Sequence, residues 1–219
     1  MPEGVITALR AQERDSQRVN VFIDDTFALG ISLDTLAAEG LHVGKPIDAA
    51  TWARLEATEQ TTQAFQRALR FLQSRPRSTA EVRQRLRRAA YADATIEAVI
   101  ARLTELALLD DAEFARLWIA HRHHHNPRGT ALLRVELRQK GLDREVIEAA
   151  LAAAQEHADY PDEAGQARQL ALDVLPRYCN APDKATFERR LGGYLQRRGF
   201  AFATIRPVLA ELWQQCHPE

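Results

Sequence analysis

The chain has 219 residues, 46% hydrophobic and 27% charged, with a formal net charge of −1 and only two cysteines. This is the balance of an ordinary soluble protein, with enough chain to bury a real core. No run approaches the ~18 apolar residues of a membrane span, and Met1-Pro2-Glu3-Gly4 lacks the basic and apolar regions of a signal peptide, so a cytoplasmic location is expected. In that compartment Cys179 and Cys216, which lack CxxC spacing, are expected to be free thiols.

The first 50 or so residues have a strand texture. Val19, Val21 and Ile23 alternate with Asn20, Phe22 and Asp24, and Val5 to Gln12 is read as an earlier extended stretch. Arg14-Asp-Ser-Gln17 between them is the expected hairpin loop, and Asp24-Asp25 is a second turn before Phe27 to Ile31. A short helix is expected from about Ser32 to Glu39, stopped by Gly40.

From Asp48 onward the spacing becomes helical, and a three-fold near-repeat emerges. Its anchors are Leu86, Leu137 and Leu195. Four positions earlier stand Val82, Leu133 and Leu191; ten later come Ile96, Ile147 and Ile205; fourteen later come Ile100, Leu151 and Leu209. Each unit reads as a long first helix, a short second and a third that closes the core, a tandem architecture. Phe65, Ala68, Leu69 and Leu72 open repeat one. Pro76 ends that helix, and Ser78-Thr-Ala-Glu81 is a capping box for the next. In repeat two, Asp110 and Glu113 have the same cap spacing, and Pro127-Arg-Gly129 makes the break. Repeat three begins near Pro161 and breaks around Asn180-Ala-Pro182. Gly141 and Gly199 suit the left-handed corner after helix two. The expected fold is therefore mainly α, three tandem three-helix repeats (59–109, 110–158 and 159–219) behind a small β-hairpin module (1–58). Such an array needs no second copy to complete its core, so a monomer is expected.

Charge is unevenly placed. Between Arg67 and Arg88 there are eight arginines and one acid. Arg83 and Arg87 flank Leu86 in the register in which Arg134 and Arg138 flank Leu137. Like charges at i, i+4 repel, so an anionic partner is the expected offset, against a solvated arginine face. Arg88 and Lys140 extend these sets. Arg197 and Arg198 are the counterparts in repeat three, where Gly192 and Gln196 hold the paired slots. Arg75, Arg77 and Arg128 lie at the helix breaks, near helix N-termini that attract anions. His121 and His125 form an i, i+4 pair, but nothing completes a metal shell, so no metal or other cofactor is expected. Trp52, Trp118 and Trp213 fall on apolar faces and are read as core. Nucleotide-binding, hydrolase and metalloprotease motifs are absent, so no enzyme is expected.

Several stretches together resemble the RecX family. They are Ala68-Leu-Arg-Phe-Leu72 with Arg75-Pro-Arg-Ser78, Leu108-Leu-Asp-Asp111 with Phe114-Ala115, Pro127-Arg-Gly129, Glu136-Leu137 with Lys140-Gly141, and Val146-Ile-Glu-Ala149. Phe22-Ile-Asp-Asp25 and Phe27-Ala-Leu-Gly30 resemble the leader of longer members. Two departures fall at corners: Ala89-Ala90-Tyr91 replaces Lys-Gly-aromatic, and Ala107 stands where a glycine usually precedes Leu-Leu-Asp-Asp. The resemblance implies a non-enzymatic regulator of the RecA recombinase that lies along the RecA–single-stranded DNA filament. It implies depressed ATP hydrolysis, strand exchange and repressor cleavage, with weak non-specific DNA binding beside it. A helix-turn-helix transcriptional repressor and an α-solenoid adaptor are the competing readings.

Overall fold

The computed structural model describes residues 4–13, 15–156 and 162–218. Arg14 of the expected loop, and Pro161 at the expected start of repeat three, lie outside them. The described chain forms two compact units, one of residues up to Pro76 with Val82–Leu108, the other of Arg77–Glu81 with residues from Leu109 onward.

In the first unit, β1 (Gly4–Gln12), β2 (Asp15–Ile23), β3 (Thr26–Ser32) and the two-residue β4 (Pro46–Ile47) form an antiparallel sheet in the order β3-β2-β1-β4. The module is thus larger than a hairpin. Asp15 to Gln17, expected in the loop, already belong to β2. Asp24 and Asp25 make the second turn with φ of 45° and 63°, the left-handed pair that a two-residue hairpin connection requires. Ser32 caps α1 (Leu33–Ala38) by accepting from Thr35 N at 3.0 Å, and Gly40 follows at φ +54°. Asp48 then caps α2 (Ala49–Leu72), which runs unbroken through position 58. Its buried Trp52 and Leu55 join Ile6, Val21, Ile23, Ile31, Leu41 and Ile47 in one core. The carboxylate of Glu59, only 1% exposed, is held by Arg18 and by Gln63 Nε2 at 2.7 Å, and Arg18 also reaches Gly30 O at 2.9 Å. A buried charge needs such partners.

Repeat one is α2 with α3 (Thr79–Arg87) and α4 (Asp93–Glu105). Repeat two is α5 (Asp111–His125), α6 (Thr130–Gln139) and α7 (Arg144–Glu156). Repeat three is α8 (Glu163–Val174), a 3-10 turn at Leu175–Arg177, α9 (Lys184–Arg197) and α10 (Phe202–Cys216). Every residue of the four repeat positions read from the sequence, from Val82 through Leu209, is buried. The capping box at Ser78 is formed in both directions, Glu81 N to Ser78 Oγ at 3.2 Å and Ser78 N to Glu81 Oε2 at 3.3 Å. Asp110 caps α5, whereas Glu113 turns to Arg116.

The two alanine departures keep the corner geometry. Ala90 (φ +62°) and Ala107 (φ +53°) adopt the same left-handed conformation as Gly141 (φ +80°) and Gly199 (φ +88°). An L-residue pays a steric penalty there that glycine does not. Ala90→Gly and Ala107→Gly should each raise unfolding free energy by about 0.5–1 kcal/mol, the steric relief less the added chain entropy. Denaturant midpoints of the two variants check this; a fall in both would mean the corners are relaxed.

Within the second unit, successive repeats join by one recurring device. The N-cap of one repeat's second helix sits on the corner of the next repeat. Ser78 Oγ donates to Lys140 O at 2.6 Å, and Gly129 N donates to Arg198 O at 2.9 Å. The first amide of that second helix is then capped by the first residue of the next repeat. Thr79 N donates to Asp111 Oδ1 at 2.8 Å, and Thr130 N to Glu163 Oε1 at 2.9 Å. These carboxylates satisfy donors a helix start leaves open. The approach is close enough to demand glycine. A Cβ on Gly141 would overlap Ala80, one on Gly199 would overlap Leu132, and one on Gly129 would fall on the Gly199 backbone.

Cys179 and Cys216 form a disulfide, with Cα atoms 5.3 Å apart across a sequence separation of 37. This corrects the expectation of free thiols. The pairing follows from the end of α10 folding back beside the turn after α8, a proximity that sequence spacing does not reveal.

Candidate partner-binding surface

The structure divides the eleven basic candidates by what they touch. Arg83 and Arg134 are engaged inside their own repeats. Arg83 meets Glu97 through Nε at 2.7 Å and Nη2 at 2.8 Å; Arg134 meets Glu148 through the same atoms at 2.6 and 2.8 Å. Both pairs tie helix two to helix three across 14 residues. The hydrogen bond from each arginine holds its glutamate below the usual carboxylate range and, in repeat two, raises the Arg134 guanidinium. The offset for the recurring like charges therefore lies within the repeats. The signal was in the sequence: Glu97 and Glu148 each stand 14 residues after their arginine.

Lys140 and Arg198 occupy equivalent corners. Lys140 Nζ pairs with Glu81 at 3.0 Å and lies 4.9 Å from the Trp118 ring centroid. Arg198 donates to Asn126 Oδ1 and lies 5.3 Å over Tyr194. Arg128, half-buried, is 3.8 Å from Glu136. Glu136 was missed as a centre: its Oε2 accepts from Trp118 Nε1 at 2.9 Å and Arg122 Nε at 2.8 Å. Trp118 and Trp213 are half-buried, so of the three tryptophans only Trp52 is fully core.

The remaining candidates, Arg77 apart, are exposed. Arg75 is exposed and bonds the Pro76 carbonyl at 2.9 Å, while Arg77 beside it is half-buried. Arg87 makes one contact, to Asp93 at 3.0 Å. Arg138 takes the same register in repeat two, where the position matching Asp93 is Arg144; it is exposed and has no salt bridge among the described residues. Arg88 and Arg197 are likewise exposed. Among the described residues no group of three or more His, Cys, Asp or Glu could hold a metal, and no helix is long and apolar enough to cross a membrane. His121 and His125 lie with ring centroids 4.8 Å apart and planes tilted by 47°, and burial lowers the pKa of neighbouring His123.

The fold and this surface define a tandem three-helix-repeat protein, with an N-terminal sheet and helix faces rich in arginine. Family models match in the same order along the chain: the RecX N-terminal domain at 4–48, the first RecX three-helix domain at 64–103 and the second at 110–151. Regulatory protein RecX of Bacillus licheniformis is 31% identical over 206 residues, covering 94% of this chain and 76% of that protein. Regulatory protein RecX of Mycobacterium avium is 39% identical over 151 residues, 68% of this chain and 85% of that one. The chain belongs to the RecX family of regulatory proteins. A crystal structure of regulatory protein RecX shares the fold at a TM-score of 0.77, with 24% identity and coverage of 93% of this chain and 98% of that one.

Proposed function

We propose that this protein is a non-enzymatic regulator of the RecA recombinase. In this reading it binds the RecA–single-stranded DNA filament in the cytoplasm as a monomer. It thereby lowers ATP hydrolysis, strand exchange and stimulated repressor cleavage. Membership of the RecX family across the sheet module and two repeats carries the reading. The hydrogen-bonded junctions between successive repeats in the second unit support it, because joined contacts on a polymer reinforce one another. We assign the anionic contact to repeats one and two, and within them to the solvent-facing pair Arg87 and Arg138. Arg83 and Arg134 hold the helices that present it.

The test is the single-stranded-DNA-dependent ATPase of the cognate RecA with this protein titrated in. Inhibition is expected, and its absence at every ratio under filament-forming conditions sinks the proposal. Arg87→Glu with Arg138→Glu should raise the half-inhibitory concentration roughly tenfold. Unchanged inhibition by the folded double variant moves the contact elsewhere. A tight, sequence-selective complex with duplex DNA alone would favour a repressor instead.

A further inference from the structure

Both cysteines of the chain fall in repeat three, and repeats one and two form the same three-helix unit without any. Cys179 follows the 3-10 turn at Leu175–Arg177, and Cys216 ends α10. Their bond spans a sequence separation of 37 and closes a loop that contains α9 and α10. The same loop carries the corner at Arg198 and Gly199 on which the N-cap of α6 is seated. The bond therefore constrains the helix pair that joins repeat three to repeat two.

A covalent staple is needed where a core is too small to hold the fold. Repeat three has the opposite character. Among the described residues its core gathers thirteen buried side chains, against eight in repeat two, which has no disulfide. That core ends along α10 at Leu212. Beyond it Gln214, Gln215, His217 and Pro218 are exposed, while Trp213 and Cys216 are half-buried. Trp213 reaches back to Phe187 with ring centroids 5.4 Å apart, and His217 stacks on Trp213 at 3.8 Å. Cys179 is half-buried too, beside the exposed Asn180. Both sulfurs thus lie at the margin of the core, one at a helix end and one in a turn. Such segments open at low free energy, so a small thiol can reach the bond while the rest of the repeat stays folded.

We propose that Cys179 and Cys216 form a thiol–disulfide switch, which tightens repeat three when oxidised and loosens its C-terminal turn when reduced. In the reducing direction a glutathione thiolate attacks one sulfur of the pair. The Sγ–Sγ bond breaks, a mixed disulfide forms, and the other cysteine leaves as a thiolate that takes a proton from water. A second glutathione thiolate attacks the glutathione sulfur of the mixed disulfide and releases the first cysteine in the same way. The pair gains two electrons and two protons, and two glutathione molecules become one of oxidised glutathione, which drives the reverse. The switch belongs to the chain by itself and does not depend on recombinase regulation. To test it, the full chain is equilibrated at a series of reduced-to-oxidised glutathione ratios, quenched in acid and alkylated with a maleimide. Mass spectrometry then counts the thiols. Interconversion of the bonded and dithiol forms is expected within the series; a pair wholly bonded or wholly reduced throughout overturns the proposal, since structural disulfides resist glutathione. Reduction should raise the unfolding equilibrium constant of the second unit in urea about a hundredfold. Amide hydrogen exchange in the last turn of α10 should quicken by about tenfold or more, with α4 of the first unit unchanged. Cys216→Ser should match the reduced wild-type chain at every ratio, and Cys179→Ser should do the same. Oxidised and reduced wild-type chains with equal urea midpoints and equal exchange overturn the proposal without any substitution. A folded serine variant whose stability still follows the glutathione ratio also overturns it.

Discussion

Gly129→Ala should lower the unfolding free energy of the second unit by roughly 3 kcal/mol, the upper range of overpacking effects. Its backbone is unstrained, at φ −66° and ψ 158°, so an alanine is conformationally acceptable there. The cost is one of space. The added methyl falls on the carbonyl of Gly199 and near the amide of Phe200, which are main-chain atoms rather than the yielding end of a side chain. Relief must pull the N-cap of α6 away from the corner after α9, and so break the Gly129 N to Arg198 O bond of 2.9 Å. Urea unfolding measures this as a lower midpoint. Gly193→Ala serves as the control, since its methyl would meet only the flexible end of Arg197, 3.4 Å away, and should gain up to about 1 kcal/mol from helix propensity. Equal midpoints for Gly129→Ala and wild type would mean that the repeats do not dock backbone to backbone.

Glu136→Ala should be comparably damaging, at about 3 kcal/mol, because it strands the groups that converge on one carboxylate. Glu136 is 15% exposed and accepts from Trp118 Nε1 and Arg122 Nε, with Arg128 at 3.8 Å. Removing the acceptor leaves a half-buried indole N–H and two guanidinium groups beside the core of repeat two. Glu136→Gln keeps an acceptor for Trp118 but not the charge, so its loss should be smaller, about 1–2 kcal/mol. Thermal or urea unfolding of the pair decides it. A Gln variant as unstable as the Ala variant would place the whole effect in charge rather than in the indole hydrogen bond.

These two positions show where sequence reading stopped. Pro127-Arg-Gly129 was visible as a break, but a break has no orientation until the partner surface is known. The capping box at Ser78 was readable because both partners lie within one helical turn. The other use of the same residue, its hydroxyl on Lys140 O, joins positions 62 apart. Asp110 is legible as a cap, yet its neighbour Asp111 caps a different helix: Asp110 caps its own, and Asp111 the second helix of the preceding repeat. Arg83 and Arg134 were singled out as recurring and basic. The fold adds that Glu97 and Glu148 recur beside them, which turns an apparent repulsion into a clamp.

By itself, the sequence determined the three-helix repeat, its buried positions, most of its caps and corners, and the family to which the chain belongs. Those features depend on residues a few positions apart, whose spacing maps directly onto a helix face or a turn. Only the tertiary structure decided the four-stranded sheet, the Cys179–Cys216 disulfide, the glycine-lined junctions and the glutamates that pair with Arg83 and Arg134. Each of these rests on groups far apart in the chain, and a charge or a thiol looks the same in sequence whether its partner is solvent or another helix.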